Sequence, residues 1–289
     1  MPSFGIKTVP VRVTYGELLR VWQEADSIPA IEHIWLWDHL VPLFGPADGD
    51  IHEGWTMLAA LAARTERIAF GHLVTSNMTR PPALLAKMAA TVDAIAPGRL
   101  VLGLGVGGTR QPGDVHVPRE YNAYGLPVVS PGEGVARLDE ACAIIKRLWT
   151  EVRFDFDGRY HRLRDAVCEP KPARRPPLLI GGWGDRTLGV VARHADLWNV
   201  PGPPHNSLEF IAERSKALDA RCAEIGRDPA EIVRSTQIMV SYDEPAAART
   251  EIRRLLDLGI THIVINLLPP FPDGAATWAA EEIIDQIAQ

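Results

Sequence analysis

Eight short apolar runs punctuate the chain, and stretches of helical period separate most of them. That alternation limits the fold more than any other feature, because parallel strands joined by helical crossovers are what it encodes. The runs are FGIKT (Phe4 to Thr8), Ile34 to Trp37, RIAFGHLVTS, RLVLGLGVGG, PLLIGGWG, ADLWNV, STQIMVS and THIVINLLPP. Thr14 and Glu17 form a capping-box pattern before the first helix. Pro82 can open the third helix, where Leu84, Met88 and Val92 fall on one face, and Gly259 closes a later one. Eight strand–helix units in 289 residues predict a single α/β domain, a (β/α)8 TIM barrel. An open doubly wound sheet is the alternative.

The rhythm breaks between residues 109 and 177. A polar stretch comes first, then the amphipathic VARLDEACAIIKRLW, then VRFDFDGRYHRL with an Asp157-Gly158 hairpin signal. This is the expected insertion after strand 4, forming part of a pocket wall with Tyr121 and Tyr124.

In a barrel, chemistry gathers where the strands end at their C-termini. Strand 2 ends on Asp38 and His39, a pair that reads either as a loop cap or as catalytic groups. Strand 4 alternates Gly103, Gly105 and Gly107 with Leu102, Leu104 and Val106, so one side carries no side chains. Such a side suits a flat ring or a close backbone contact. The G-x-G-x-x-G that ends on Gly108 lacks the helix and the acidic residue a dinucleotide fingerprint requires. After strand 5, Gly181, Gly182 and Gly184 lead into a helix, and this is either a barrel turn or a backbone cradle for phosphate.

A net charge of −6 and the lack of a basic face argue against nucleic acid as a partner. No apolar run reaches membrane-spanning length, and no signal segment is expected at the N-terminus. Cys142, Cys168 and Cys222 are scattered and odd in number, which fits a reducing, cytoplasmic setting. No HxH, HExxH, G-x-S-x-G or P-loop occurs, and no metal site is expected.

The motifs IWLWDHL, the stretch from RIAFGHLVTSNMTRPP to LVLGLGVGG, EYNAYGLP, RLDEACAIIKRLWTE, FDGRYHRL, EPKP and IGGWGDRTLGVVARHADLWN occur in an order that resembles the luciferase-like monooxygenase superfamily. Within it, the resemblance is to oxidoreductases that use coenzyme F420, a deazaflavin. It implies hydride transfer between the deazaflavin and an unidentified small organic substrate. Asp38 would contact the ring and His39 would lie near its reactive carbon. A non-prolyl cis peptide at Leu73-Val74 would back the ring, with Thr75 and Ser76 lining it. Val106, Gly107 and Gly108 would flank it. Gly181, Gly182, Trp183 and Gly184 would hold the phosphate, with Asp185 and Thr187 close by.

Related enzymes also imply a homodimer. Two alternatives stay open: an FMN-dependent monooxygenase on the same barrel, and a non-catalytic flavin- or deazaflavin-binding relative. Three positions depart from the family pattern. Gly108 replaces a glutamate, which removes the usual second acid-base group. Leu43 replaces a tryptophan, and Gly134 an arginine.

Overall fold

The structure is a computed structural model that describes residues 2–43, 46, 48–109, 115–200, 202 and 206–288. Residues 110–114 of the expected insertion lie outside the described residues. Eight parallel strands close into a barrel: β1 (Ser3–Lys7), β2 (His33–Leu36), β3 (Ala69–His72), β4 (Leu100–Gly105), β5 (Leu178–Gly181), β6 (Leu197–Val200), β7 (Val233–Met239) and β8 (His262–Asn266). Each pairs with its sequence neighbours, and β8 returns to β1 with Phe4 opposite Ile263. The open-sheet alternative is thereby excluded.

Alternation along the strands makes two apolar layers. Phe4, Ile6, Ile34, Leu36, Phe70, Leu102, Ile180, Trp198 and Ile265 face outward and join the core beneath the helices. Each such buried side chain contributes roughly 1.5–3 kcal/mol. Inside the barrel, Trp35, Leu73, Leu179 and Val264 pack together with Val74, Val101 and Leu197. This inner plug fills the barrel beneath its C-terminal mouth.

The surrounding helices include α1 (Tyr15–Ser27), α2 (Gly54–Ala62), α3 (Pro82–Ile95), α4 (His116–Ala123), α5 (Pro131–Thr150), α6 (Asp185–His194), α7 (Leu208–Glu224) and α8 (Pro245–Asp257). Helical turns from Ala275 to Ala288 complete them. Among the described residues, none is long and apolar enough to cross a membrane. Thr14 and Glu17 close a reciprocal capping box on α1. Gly259, at φ 80°, follows the end of α8 in the left-handed region that glycine tolerates.

Three expectations change. The third apolar run is one strand in sequence but is interrupted in space. Strand β3 stops at His72, the Leu73–Val74 peptide is cis, and pairing to β4 resumes at Thr75–Ser76. On α3 the expected face is only partly buried: Leu84 is exposed and Met88 half-buried, while Val92 joins Leu85, Ala86, Ala89 and Ala90 in the core. The small alanines let α5 approach, so Trp149 Nε1 donates to Ala86 O at 3.0 Å. Within residues 109–177, α5 packs against both α3 and α6 and so stands in the helix ring. Helix α4 was not legible in the polar stretch. The hairpin pairs Phe154–Asp157 with Arg162–Ala166.

Candidate active site

A cavity of about 670 Å³ opens at the C-terminal ends of the strands. That is within the usual range for a small-molecule or cofactor site. Leu73 and Val74 just after β3, Gly105 to Gly107 at the end of β4, and Gly181 to Thr187 from β5 and α6 line it. Thr109, Pro131, Gly132 and Val135 close one side, and Asn199 and Gln237 another. The two glycine clusters and the cis peptide therefore share one chamber.

The alternating glycines of β4 divide their work. A Cβ on Gly103 would stand 1.9 Å from His72 O, so this residue serves close backbone packing. A Cβ on Gly105 would meet Val74 Cγ2 at 2.6 Å, and one on Gly181 would meet Val74 Cγ1 at 3.1 Å. The Val74 side chain thus fills the space these glycines leave. Next to it the chamber stays open.

The phosphate-cradle motif keeps its backbone exposed to the chamber. Gly182 has φ 139°, and a Cβ there would stand 2.9 Å from Thr187 Cγ2. Trp198 Nε1 donates to Gly182 O at 2.7 Å and fixes the turn. Gly184 caps α6 without a side chain, so the first-turn N–H groups keep no capping acceptor. Asp185 turns its carboxylate to Arg214 at 2.8 Å, while Thr187 is buried in the wall. Arg186, which the sequence reading missed, lines the chamber, and a Cβ on Gly132 would lie 2.8 Å from its Nη1.

Asp38 and His39 do not line this chamber. The buried Asp38 carboxylate accepts two hydrogen bonds from Arg80, at 2.6 and 3.0 Å. Arg80 also contacts Glu53, the N-cap of α2. Its guanidinium pKa is raised: burial opposes the shift and the two carboxylates outweigh it. His39 stays partly exposed with Nδ1 3.0 Å from Glu120 Oε2. Glu120 is buried on α4 and also accepts from the N–H of Leu40. Burial pushes its pKa up, and the hydrogen bonds from His39, Leu40 and Val41 more than offset that, leaving it below the ordinary value.

The next residue of α4 reaches the other strand ends. Tyr121 is buried, its hydroxyl bonded to Ser76 Oγ. Burial pushes its phenol up to about 12, so it remains protonated at neutral pH. Gly107 and Gly108 both have positive φ, and Cβ atoms there would strike Ser76 and Tyr121 respectively. Thr75 is buried and accepts from Trp55 Nε1 at 3.2 Å. Helix α4 thus ties the Asp-His loop to the ends of β3 and β4. Tyr124 completes the tie by donating to Leu40 O at 3.2 Å. The two tyrosines expected in the pocket wall hold loops instead.

Two of the three departures from the family pattern, at Gly108 and Gly134, have physical causes. A glutamate at Gly108 would collide with Tyr121 and Met78, its Cβ only 2.6 and 2.8 Å away. A carboxylate nevertheless reaches His39, from Glu120. An arginine at Gly134 would strike Val106 and Thr109, both 2.6 Å from its Cβ. Arg186 brings a guanidinium to the same wall. Lys7 and Gln237, also missed, meet at the mouth of the barrel, Nζ donating to Oε1 at 2.9 Å. Neither Glu120 nor Arg186 leaves a sequence signal, but strict alternation along β1 turns Lys7 inward beside Gly5.

Residues 5–282 match the family model described as luciferase-like monooxygenase. The F420-dependent glucose-6-phosphate dehydrogenase of Kineococcus radiotolerans is 29% identical over 264 residues, covering 90% of this chain and 74% of that protein. The enzyme of the same name from Intrasporangium calvum is 30% identical over 238 residues, covering 82% and 67%. Among solved structures, an F420-dependent secondary alcohol dehydrogenase in complex with an F420-acetone adduct superposes with a TM-score of 0.83. It covers 98% of each chain at 18% identity, a likeness of fold.

Proposed function

The chain belongs to the luciferase-like monooxygenase family, and on that premise we propose that it is an oxidoreductase moving a hydride between coenzyme F420 and a small organic substrate. One observation carries the reading. Strand ends from four parts of the chain meet around a single chamber that has a flat glycine side and a helix N-terminus at its edge. Relatives named as F420-dependent dehydrogenases support the choice of coenzyme.

The residues fit such a guest. Gly105 and Gly181 make room for the Val74 side chain, and Val74 beside the open chamber would form the backing of a planar ring. The N–H groups of Gly184 to Thr187 and the Arg186 guanidinium would hold the phosphate. When bound, the deazaflavin supplies or accepts the hydride.

The chain's own part is to orient the reactants, exclude water and manage a proton. His39, partly exposed and outside the chamber lining, would handle that proton at Nε2, since an imidazole nitrogen can both take and give one. Glu120 accepts from Nδ1, which fixes the tautomer and frees Nε2 for the reactant. Arg80 holds Asp38, and with it the turn that carries His39. In this reading Asp38 acts by positioning.

The reading extends to a homodimer in a reducing cytoplasm. Leu84 and Ile95 are exposed on α3 with Met88 half-buried between them, an apolar stripe suited to a second copy. All three cysteines are buried and free of disulfides. Hydride transfer is tested by mixing reduced coenzyme with candidate carbonyl substrates and following its reoxidation by absorbance. Substrate-dependent reoxidation supports the reading. Reoxidation by oxygen alone, or with FMN alone, favours a monooxygenase.

A further inference from the structure

Lys7 is a buried cation with no acid beside it. It ends β1, and its register neighbours are Trp35 on β2 and Asn266 on β8. Its Nζ donates to Gln237 Oε1 at 2.9 Å and lies 5.8 Å from the centre of the Trp37 ring. None of these neighbours carries a charge, and among the described residues Lys7 makes no ion pair. Burial alone depresses its pKa to about 8. A lone ammonium in such a place is costly, and no gain in stability explains it.

The pairing determines how Gln237 sits. An amide can usually be turned either way without visible difference. An ammonium only donates, so the oxygen of Gln237 must face Lys7. The amide nitrogen is then directed away from Lys7, and Gln237 is a lining residue of the chamber. Turned to the chamber, that nitrogen would give the wall an N–H donor polarised by the charge behind it.

We propose that Gln237 Nε2, held by Lys7, is the hydrogen-bond donor that recognises a carbonyl or carboxylate oxygen of the molecule in the chamber. The oxygen belongs to the substrate or to the coenzyme ring, and the chemistry is the same for either. Gln237 thereby sets specificity by touching the ligand, and Lys7 is a positioning residue. The inference rests on the hydride-transfer reading only for the identity of the ligand.

Three probes of one size test it: benzoate, acetophenone and benzylammonium. Their dissociation constants are measured by calorimetry on the full-length protein, with and without coenzyme F420. Benzoate and acetophenone bind at least tenfold more tightly than benzylammonium, as one hydrogen bond to a polarised donor allows. Gln237→Glu, which presents only acceptors, reverses that order. Lys7→Met, which frees the amide to turn, reduces the preference several-fold, and both variants keep the wild-type melting temperature within a few degrees.

If the reversal persists with coenzyme bound, the oxygen is the substrate's. If coenzyme removes the preference and Gln237→Glu weakens the coenzyme itself about tenfold, the oxygen is on the ring. An unchanged order in folded Gln237→Glu, or equal or undetectable binding of all three probes in both states, overturns the proposal. Because the probes are also titrated alone, failure of the coenzyme to bind would count against the hydride-transfer reading without deciding this one.

Discussion

His39 Nδ1 and Glu120 Oε2 stand 3.0 Å apart although 81 residues separate them in the chain. One residue belongs to the loop after β2 and the other to α4, so in the proposed mechanism this contact ties the proton-handling imidazole to a helix outside the barrel. Replacing His39 with alanine lowers turnover about 10²- to 10⁴-fold while coenzyme affinity stays within twofold. Glu120→Gln keeps an acceptor but loses the charge, and turnover falls roughly tenfold with little change in the substrate KM. Steady-state kinetics with parallel coenzyme titration checks both. Equal losses of kcat and coenzyme affinity would assign the pair to binding.

Arg80 and Asp38 form the buried counterpart of that pair. Removing one member of a buried ion pair strands the other, at about 3–5 kcal/mol. Arg80→Met therefore destabilises by that order, and adding Asp38→Asn recovers much of the loss. Urea unfolding of the two single variants and the double variant measures the coupling.

Acid weakens the barrel through two histidines at its opposite end. His33 and His262 stack with ring centres 3.8 Å apart. Trp35 Nε1 donates to His33 Nδ1 at 2.7 Å, and Ser235 Oγ lies 2.8 Å from His262 Nδ1. Burial lowers both, His33 well below 6.5 with help from the neighbouring His262, and His262 to about 4. Below pH 6.5 the unfolded chain takes up protons that the native state refuses, so stability is present above that pH and falls beneath it. From pH 7 to pH 5 His262 alone removes on the order of 2 kcal/mol, and His33 adds to the loss in the same direction. His262→Asn halves that slope in urea unfolding at the two pH values.

A methyl group placed in the chamber separates fold from binding. Gly181→Ala puts a Cβ 3.1 Å from Val74 Cγ1, so Val74, itself a lining residue of the chamber, must shift. Coenzyme affinity falls about tenfold, consistent with a small overpacking cost. The melting temperature changes by only a few degrees. Fluorescence titration and thermal unfolding of the same variant read both quantities.

The barrel was legible because its signal is periodic. Apolar runs at the strand positions, the Thr14 capping box, Gly259 and the glycine clusters all speak through local spacing. Gly181, Gly182 and Gly184 stand out by that spacing, whereas the roles of Leu73 to Ser76 and of Trp183, Asp185 and Thr187 come from the family resemblance. Residues joined only by the closed ring left no such mark. Glu120 lies in a polar stretch with no pattern, and its partner is distant in sequence. Lys7 was readable as an inward position, but Gln237 emerges only when β1 and β7 meet across the barrel mouth. On α3 alanines let the helices pack closely, whereas a count of large apolar residues favours Leu84, which is exposed.

The central claim is that the separated strand ends form one receptor for a planar guest with a phosphate tail. Calorimetric titration of the purified protein with coenzyme F420 and with FMN, under one set of conditions, tests it most directly. The account predicts one site per chain and F420 affinity at least tenfold above that for FMN. Tighter binding of FMN, or no binding of either, would contradict it.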